Sequence, residues 1–285
     1  PRPMPQTAAP RPLPVPPIAA EWTLPAGWRT LEFISDLHLQ VSEPATVQAF
    51  RNYLAATRAD AVFLLGDLFE VWVGDDALLE PGSFEAECAT AMRAAATRTP
   101  LFFMQGNRDF LTGAQFDALC GTTTLTDPTV LDCGDQRILL SHGDALCLDD
   151  VDYQRFRAMA RSAAWQAGFL AQPLQVRRDQ ARGIRQESES RKRESDGHGA
   201  AMPTYADLDA QATRSWLHAA GAATLIHGHT HRPADHDLGD GLRRIVLSDW
   251  DLAAPVPRAE VLRWERGMGL QRLPLSDVLE QASPP

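Results

Sequence analysis

The chain has 285 residues, of which 44% are hydrophobic and 22% charged, a balance typical of a globular protein with a sizeable core. Its formal net charge of −10 argues against non-specific binding of nucleic acid, because the phosphates would repel the protein. No stretch of about 18 consecutive apolar residues occurs, so we expect no membrane-spanning helix.

The N-terminal segment is rich in proline. Its sequence PRPMPQTAAPRPLPVPPIAA lacks the continuous apolar run of a signal peptide and predicts a disordered or polyproline II tail over residues 1–28. The four cysteines form no C-x-x-C pair, and we expect reduced thiols in a cytoplasmic protein. The folded domain is therefore expected over residues 29–285.

From about Leu31 onward, short apolar runs alternate with helical patterns. The runs LEFIS, AVFLL, LFFMQ, RILLS, TLIHG and RIVLS are typical of buried strands, and most lead into Asp, Asn or His. Between the first three runs lie two Ala-rich stretches of helical period, PATVQAFRNYLAATR and SFEAECATAMRAAATR. The alternation predicts an α/β layered domain with its ligand site beyond the carboxyl ends of the strands.

The segment from about residue 151 to 217 contains no strand-like run. Its helical pattern, interrupted at Pro173, predicts a helical cap inserted into the main domain. The apolar residues of the cap can pack it onto the domain or form a groove for acyl chains. The stretch 177–193 has seven Arg or Lys and three Asp or Glu, and can be a solvated helix face or a contact with anionic lipid headgroups.

Five motifs follow the strand-like runs in order: D-x-H, G-D, G-N-R-D, S-H-G-D and G-H-T-H. Each motif alone is more often capping or turn chemistry than a metal site. Together they supply carboxylate, amide oxygen and imidazole, the ligand set that suits Mn²⁺, Fe²⁺, Zn²⁺ or Mg²⁺. If the turns are extended, residues i and i+2 project the same way. The candidate metal ligands are Asp36, His38, Asp67, Asn107, His142, His229 and His231.

This series of motifs resembles the calcineurin-like metallophosphoesterase superfamily over about residues 31–250. The resemblance implies a four-layer α/β/β/α sandwich that binds two divalent metal ions. It implies that Asp67 bridges the ions. One ion would be held by Asp36, His38, Asp67 and His231, and the other by Asp67, Asn107, His142 and His229. The catalytic residues implied are Asp67, Asn107, Arg108 and His142.

Arg108 departs from the pattern of many superfamily members, which have histidine there as a proposed proton donor. An arginine keeps its proton and offers a fork of donors to a phosphate. Arg108 therefore favours a leaving group that needs little protonation, such as a phosphate in a pyrophosphate bond.

The longer strings GDLFEVWVGDD, GNRDFLTG, SHGDALCLDDVDYQRFR and IHGHTHRPA resemble one branch, the UDP-2,3-diacylglucosamine hydrolases of lipid A biosynthesis. The resemblance implies hydrolysis of UDP-2,3-diacylglucosamine to UMP and 2,3-diacylglucosamine 1-phosphate, with Mn²⁺, by a peripheral protein on the cytoplasmic face of the inner membrane. No protein partner is identifiable. Substrate contacts are expected at Asn107, Arg108, Asp150, Ser188, Lys192 and His229.

Two other functions compete with this interpretation. The first is another enzyme of the superfamily, such as a nucleotide-sugar pyrophosphatase or a nuclease, and the apolar cap argues against both. The second is a non-catalytic scaffold, although such members usually lose ligands and none is lost here. Outside the motifs, strand alternation predicts that His227 points away from the metals, and the role of Asp249 stays open.

Overall fold

The structure is a computed structural model that describes residues 13–195 and 206–282, without the side chains of residues 185–195. Two six-stranded sheets form its centre. The first sheet contains, in spatial order, β1 (Ala20–Thr23), β6 (Thr129–Asp132), β7 (Arg137–Leu140), β8 (Thr224–His227), β10 (Leu242–Val246) and β9 (Ala234–Gly239). The second contains β12 (Gly269–Pro274), β11 (Glu260–Glu265), β2 (Thr30–Ile34), β3 (Ala61–Leu64), β4 (Leu101–Met104) and β5 (Thr122–Leu125).

Helices cover the outer face of each sheet. The second sheet is covered by α1 (Pro44–Ala56), α2 (Phe84–Ala96), α3 (Ala114–Cys120) and α8 (Leu275–Ala282), whereas α7 (Ala210–Ala220) covers the first. The cap consists of α4 (Val151–Ala160), α5 (Ala163–Leu170) and α6 (Leu174–Ser195). Two 3₁₀ turns lie at Asp75–Leu79 and Asp144–Leu146.

Side chains on the second sheet alternate between two cores. In β3, Phe63 points into the core between the two sheets, whereas Val62 and Leu64 point into the core beneath the helices. Because both faces of β3 and β4 are buried, these two strands are continuous apolar runs. A third core lies between the first sheet and α7. The resulting order of helix, sheet, sheet and helix confirms the predicted four-layer α/β/β/α sandwich.

The predicted disorder of residues 1–28 is wrong for part of that segment. Ala20–Thr23 forms β1, which pairs in parallel with β6 at the edge of the first sheet. Trp22 packs against Phe102 with ring centroids 4.8 Å apart, and Leu24 is buried in the core between the sheets. The pairing with β6 and the contacts of Trp22 and Leu24 hold this strand in place, although the surrounding prolines hide it in the sequence. Residues 1–12 lie outside the described residues.

The cap is also shorter than the predicted 151–217. Trp216 and Leu217 of α7 are buried against the first sheet, so this helix belongs to the sandwich. Within the cap, Trp165 stacks on Phe169 at 4.9 Å. Arg177, only 2% exposed, forms an ion pair with Asp76 and donates to the carbonyl oxygen of Val73. Arg177 therefore fastens α6 to the main domain and is not a lipid contact.

Among the helices of the described residues, none is long and apolar enough to cross a membrane. The four cysteines are all buried and unpaired.

Candidate metal centre

All seven predicted metal ligands lie in loops that begin where strands end. The loops follow β2, β3, β4, β7 and β8, and they carry Asp36, His38, Asp67, Asn107, His142, His229 and His231. β2, β3 and β4 run parallel in one sheet, and β7 and β8 run parallel in the other. The backbone N–H of His229 donates to Asp36 Oδ2 at 2.9 Å and joins the two sheets at this edge. The predicted convergence of the loops is therefore present in the structure.

The backbone of these loops is left-handed at five ligands. The φ angles are +55° at Asp36, +47° at His38, +51° at Asp67, +69° at His229 and +52° at His231. The expectation of extended turns was therefore wrong. A side chain in this conformation costs about 1–3 kcal/mol, and such residues cluster at functional sites. The side chains converge because the turns curl back on themselves.

Glycines in the motifs make room for the ligands. A Cβ atom at Gly106 would collide with Asp67 Oδ1, and a Cβ atom at Gly228 would collide with Asp36 Oδ2. At Gly66, whose φ is +90°, a Cβ atom would collide with Gly106 and His142. The glycines of G-D, G-N and G-H are therefore required by close approach of neighbouring loops.

One group of ligand atoms is formed by Asp36, His38 and His231, which lie within 4.8 Å of one another. His38 Nε2 lies 3.1 Å from His231 Nε2, and His231 Nε2 lies 3.4 Å from Asp36 Oδ1. Asp67 Oδ2 is 3.9 Å from His38 Nε2. These are the four residues expected at the first ion.

A second group surrounds Asp67 and His142. His142 Nε2 lies 3.6 Å from Asp67 Oδ1 and 3.0 Å from Asn107 Oδ1. His229 Nδ1 lies 2.8 Å from the same Asn107 oxygen. Asp36 also comes within 4.8 Å of Asp67 and His142, so the two groups share a boundary.

The donor set fits divalent cations. Two imidazole nitrogens that face each other at 3.1 Å, as in His38 and His231, can form one hydrogen bond at most, whereas both can direct a lone pair to one cation. Asp36 and Asp67 are 0% and 2% exposed, and buried carboxylates need paired charges or metals. Mixed carboxylate, amide and imidazole ligands suit Mn²⁺, Fe²⁺, Zn²⁺ and Mg²⁺.

Without cations, burial and the neighbouring charges move the pKa values of two histidines in opposite directions. Burial opposes protonation of His142, but the carboxylates of Asp67, Asp36 and Asp144 outweigh burial and raise its pKa to about 9. Burial and the charge of His142 lower the pKa of His229 to about 3. Without cations, the site therefore holds a proton on His142.

Comparison with known proteins agrees with this site. A family model described as calcineurin-like phosphoesterase matches residues 31–233. A UDP-2,3-diacylglucosamine hydrolase from Chromobacterium violaceum is 49% identical over 222 residues, 77% of this chain and 90% of the relative. The chain belongs to the calcineurin-like phosphoesterase family, in the branch of the UDP-2,3-diacylglucosamine hydrolases. This confirms the resemblance seen in the sequence.

Two further matches extend the comparison. A UDP-2,3-diacylglucosamine hydrolase from Chromohalobacter salexigens is 43% identical over 78% of this chain and 89% of the relative. The solved structure of a dimetal phosphatase from Danio rerio covers 87% of this chain and 98% of its own at 12% identity, with a TM-score of 0.44.

Sequence patterns missed Glu70, which lies directly behind the candidate ligand His38. Glu70 Oε2 lies 2.9 Å from His38 Nδ1, so His38 can present Nε2 to a metal. A carboxylate behind a ligating histidine fixes its tautomer and raises its basicity. Arg108 NH1 lies 3.7 Å from Glu70 Oε1, which ties the catalytic candidate to the same carboxylate.

Asp109, the last residue of G-N-R-D, joins two ligand loops. Its buried carboxylate accepts from the backbone N–H groups of Gly106 and Leu68 at 2.7 Å each, and from that of Asp67 at 3.3 Å. Burial and the neighbouring charge of Asp67 raise the pKa of Asp109 to about 6. The motif therefore supplies a candidate ligand at Asn107, and two residues later Asp109 holds two of the loops together.

Asp249, whose role the sequence left open, and His227, which was predicted to point away from the metals, both lie next to the ligand loops. Asp249 Oδ2 is 4.0 Å from His231 Nδ1 and 2.7 Å from Arg258 NH2, so it stands behind a ligand. His227 is buried and its Nδ1 lies 2.7 Å from the carbonyl oxygen of Gly228.

The predicted substrate contacts divide into two sets. Asn107, Arg108 and His229 lie in the ligand loops. Asp150 caps helix α4, where its side chain accepts from the backbone N–H of Tyr153 at 3.1 Å. The Tyr153 ring lies 6.0 Å from that of His229. The side chains of Ser188 and Lys192 lie outside the described residues.

Proposed function

We propose that this chain hydrolyses the pyrophosphate bond of UDP-2,3-diacylglucosamine, releasing UMP and 2,3-diacylglucosamine 1-phosphate for lipid A biosynthesis. The observation that carries the proposal is the convergence of seven ligands in a chain 49% identical to a hydrolase of that name. A non-catalytic scaffold has no need for this complete set of ligands, four of which are buried.

Two divalent cations, most suitably Mn²⁺, are proposed to occupy the site. Asp36, His38 and His231 would hold one, and Asn107, His142 and His229 the other, with Asp67 between them. When bound, such ions activate water and neutralise charge on a reacting phosphate. The support is the grouping of ligand atoms within 4.8 Å and the oxygen and nitrogen donor set.

Arg108 is proposed to neutralise negative charge on the reacting diphosphate. Its backbone N–H donates to Asp67 Oδ1 at 2.8 Å, which fixes the residue beside the proposed bridging ligand. Its guanidinium group stays protonated and can form two parallel hydrogen bonds to a phosphate. Arg108 would supply charge and no proton, as a phosphate leaving group requires.

The cap is proposed to bind the acyl chains. A cavity of about 470 Å³ lies between α5 and α6, and its lining includes Trp165, Phe169 and Ile184. Leu170 and Ile184 of the cap are each 41% exposed, so their side chains are accessible to a ligand. Asp150, Ser188 and Lys192 are proposed to bind the headgroup at the edge of the cap.

Peripheral binding to the cytoplasmic face of the inner membrane is proposed for the same part of the protein. Met159, Leu170, Val176 and Ile184 are exposed apolar residues of the cap. Arg178 pairs with Glu80 at 2.8 Å, so, like Arg177, it is committed to the main domain. Co-sedimentation with anionic vesicles tests the proposal. Full retention of the protein in the supernatant would contradict it.

The deciding experiment measures UMP release from UDP-2,3-diacylglucosamine with Mn²⁺, beside UDP-N-acetylglucosamine and a chelator control. We expect rapid, chelator-sensitive cleavage of the acylated substrate alone, and loss of turnover by at least 100-fold in Asp67→Ala and Asn107→Ala. Cleavage of both substrates would indicate a general nucleotide-sugar pyrophosphatase. Cleavage of neither by metal-loaded protein would refute the proposal.

A further inference from the structure

Asp144 connects the metal loops to the cap. It lies two residues after His142, and its side chain is 0% exposed. Its Oδ2 accepts from the hydroxyl of Tyr153 at 2.5 Å and from Arg157 Nε at 2.8 Å. Arg161 NH2 lies 3.6 Å from the same oxygen. All three partners are on or next to helix α4, at intervals of four residues that place them on one face.

Helix α4 meets two other ligand loops. Arg161 NH2 donates to the carbonyl oxygen of Gly106 at 3.0 Å, next to the ligand Asn107. The ring of Tyr153 lies beside His229. One face of the helix therefore contacts the loops after β4, β7 and β8. This arrangement fixes the cap relative to the metal ligands.

The charges at this contact are unequal. Two guanidinium groups share one carboxylate oxygen, and Arg157 and Arg161 remain 22% and 20% exposed. One arginine would be enough to neutralise the charge of Asp144, so the second guanidinium group leaves an excess of positive charge. Two partly exposed guanidinium groups beside the proposed metal centre offer donor pairs that match the geometry of a phosphate group.

We propose that Asp144 is a positioning residue that holds Arg157 and Arg161 beside the metal loops, where their guanidinium groups bind the diphosphate of the substrate. The identity of that diphosphate rests on the proposed function. Asp144 acts through the arginines and does not touch the substrate. The cap then binds the diphosphate as well as the acyl chains of the substrate.

The direction in which KM changes in one variant distinguishes a positioning role of Asp144 from a purely electrostatic one. Asp144→Asn removes a negative charge near an anionic substrate, so a purely electrostatic effect would lower KM. Loss of positioning releases both arginines and raises KM. Helix α4 offers matched controls, because Asp152 and Arg155 are 76% and 77% exposed and pair only across the helix surface.

The experiment compares KM, kcat and metal content for Arg161→Gln, Asp144→Asn and their double variant with Arg155→Gln and Asp152→Asn. We expect Arg161→Gln and Asp144→Asn each to raise KM at least ten-fold with unchanged metal content. The KM of the double variant should be little higher than that of either single variant. The controls should stay within two-fold of wild type. Tyr153→Phe, which removes one hydroxyl and no charge, should raise KM about three-fold and substitutes for Asp144→Asn if that variant does not fold.

An unchanged KM in Arg161→Gln, a lowered KM in Asp144→Asn, or multiplicative effects in the double variant would overturn the inference. Binding of methylene diphosphonate to metal-loaded protein, measured by calorimetry without free metal, does not depend on turnover. If wild type releases no UMP but Arg161→Gln weakens this binding ten-fold, the inference stands and the proposed function fails. Equal binding by both proteins would remove the inference.

Discussion

Replacing Asp109 with alanine tests how the loops that carry Asp67 and Asn107 are held together. The Asp109 carboxylate accepts two backbone hydrogen bonds at 2.7 Å, from Gly106 and Leu68. A hydrogen bond to a charged group contributes about 1.5–3 kcal/mol, so the two together contribute about 3–6 kcal/mol. Burial raises the pKa of Asp109 to about 6, which shows that ionisation of the carboxylate is disfavoured in the fold. We therefore expect the lower end, about 3 kcal/mol.

Calorimetry of the metal-free protein at pH 7.5 measures this effect. A loss of about 3 kcal/mol should lower Tm by about 6–12 °C in a protein of this size. Asp152→Ala, at a side chain 76% exposed on α4, is the matched control and should change Tm by less than about 2 °C. If metal-free Asp109→Ala unfolds within 2 °C of wild type, Asp109 does not hold the loops and the reasoning is wrong.

Three further predictions concern the metal ligands and the cap. Glu70→Ala should weaken Mn²⁺ binding by about 10–100-fold in calorimetry, and Glu70→Gln, which can still accept from His38, should weaken it less; equal affinities would contradict this. Because the carboxylates raise the pKa of His142 to about 9, imidazolium must lose a proton before it binds metal. Mn²⁺ affinity should therefore rise as pH increases towards 9, with proton release detected in buffers of different ionisation enthalpy, and binding without proton release would refute it. Phe169→Ala should lower the free energy of unfolding by about 3 kcal/mol, measured by urea unfolding. Leu170 is more exposed, so Leu170→Ala should lower it by less than about 1 kcal/mol. A reversed order would contradict the packing of the cap.

The layers of the fold and the grouping of the ligands could be predicted from the sequence because both depend on local patterns. Each buried strand is an apolar run, and the chain places a ligand motif where five of those runs end. Parallel strands bring their carboxyl ends to one edge of a sheet, so order along the chain becomes proximity in space. The loops after β3 and β4 meet for this reason, as in the bond from Arg108 N–H to Asp67 Oδ1 at 2.8 Å. Asn107 and His142 follow strands of different sheets, and they meet at 3.0 Å because the two sheets stack with these edges together.

The features that the sequence did not reveal depend on contacts between distant segments. β1 is four residues long and pairs with Thr129–Asp132, more than a hundred residues away, so composition around it reports only the prolines. The period of α7 predicts a helix with one apolar face but does not say whether a sheet or a cap covers it. Glu70 belongs to no motif, and its role follows only from the path of the loop after β3.

The left-handed turns at the ligands were also hidden, for a different reason. A sequence indicates positive φ through glycine, whereas Asp36, His38 and His231 adopt it without glycine. Asp and His tolerate this conformation better than most residues, but only a small fraction of them adopt it, so the sequence alone favoured an extended turn. Neighbouring loops impose the conformation, as in the bond from Asp36 N–H to the carbonyl oxygen of Gly66 at 3.1 Å.

The arginine side chains beside the metal site limit the kinds of bond that this chain can hydrolyse. Arg108, Arg157 and Arg161 are guanidinium groups, which neutralise charge but do not donate a proton near neutral pH. A phosphate leaving group, with a second pKa of about 6, departs without a proton, whereas an alkoxide resembles hydroxide, whose parent water has a pKa of about 15.7. The same two metal ions would therefore serve a pyrophosphate bond well and an alkyl phosphodiester poorly. Substrate choice would then follow from the leaving group as well as from the cap, and it would exclude nucleic acid strands even where they could reach the metals.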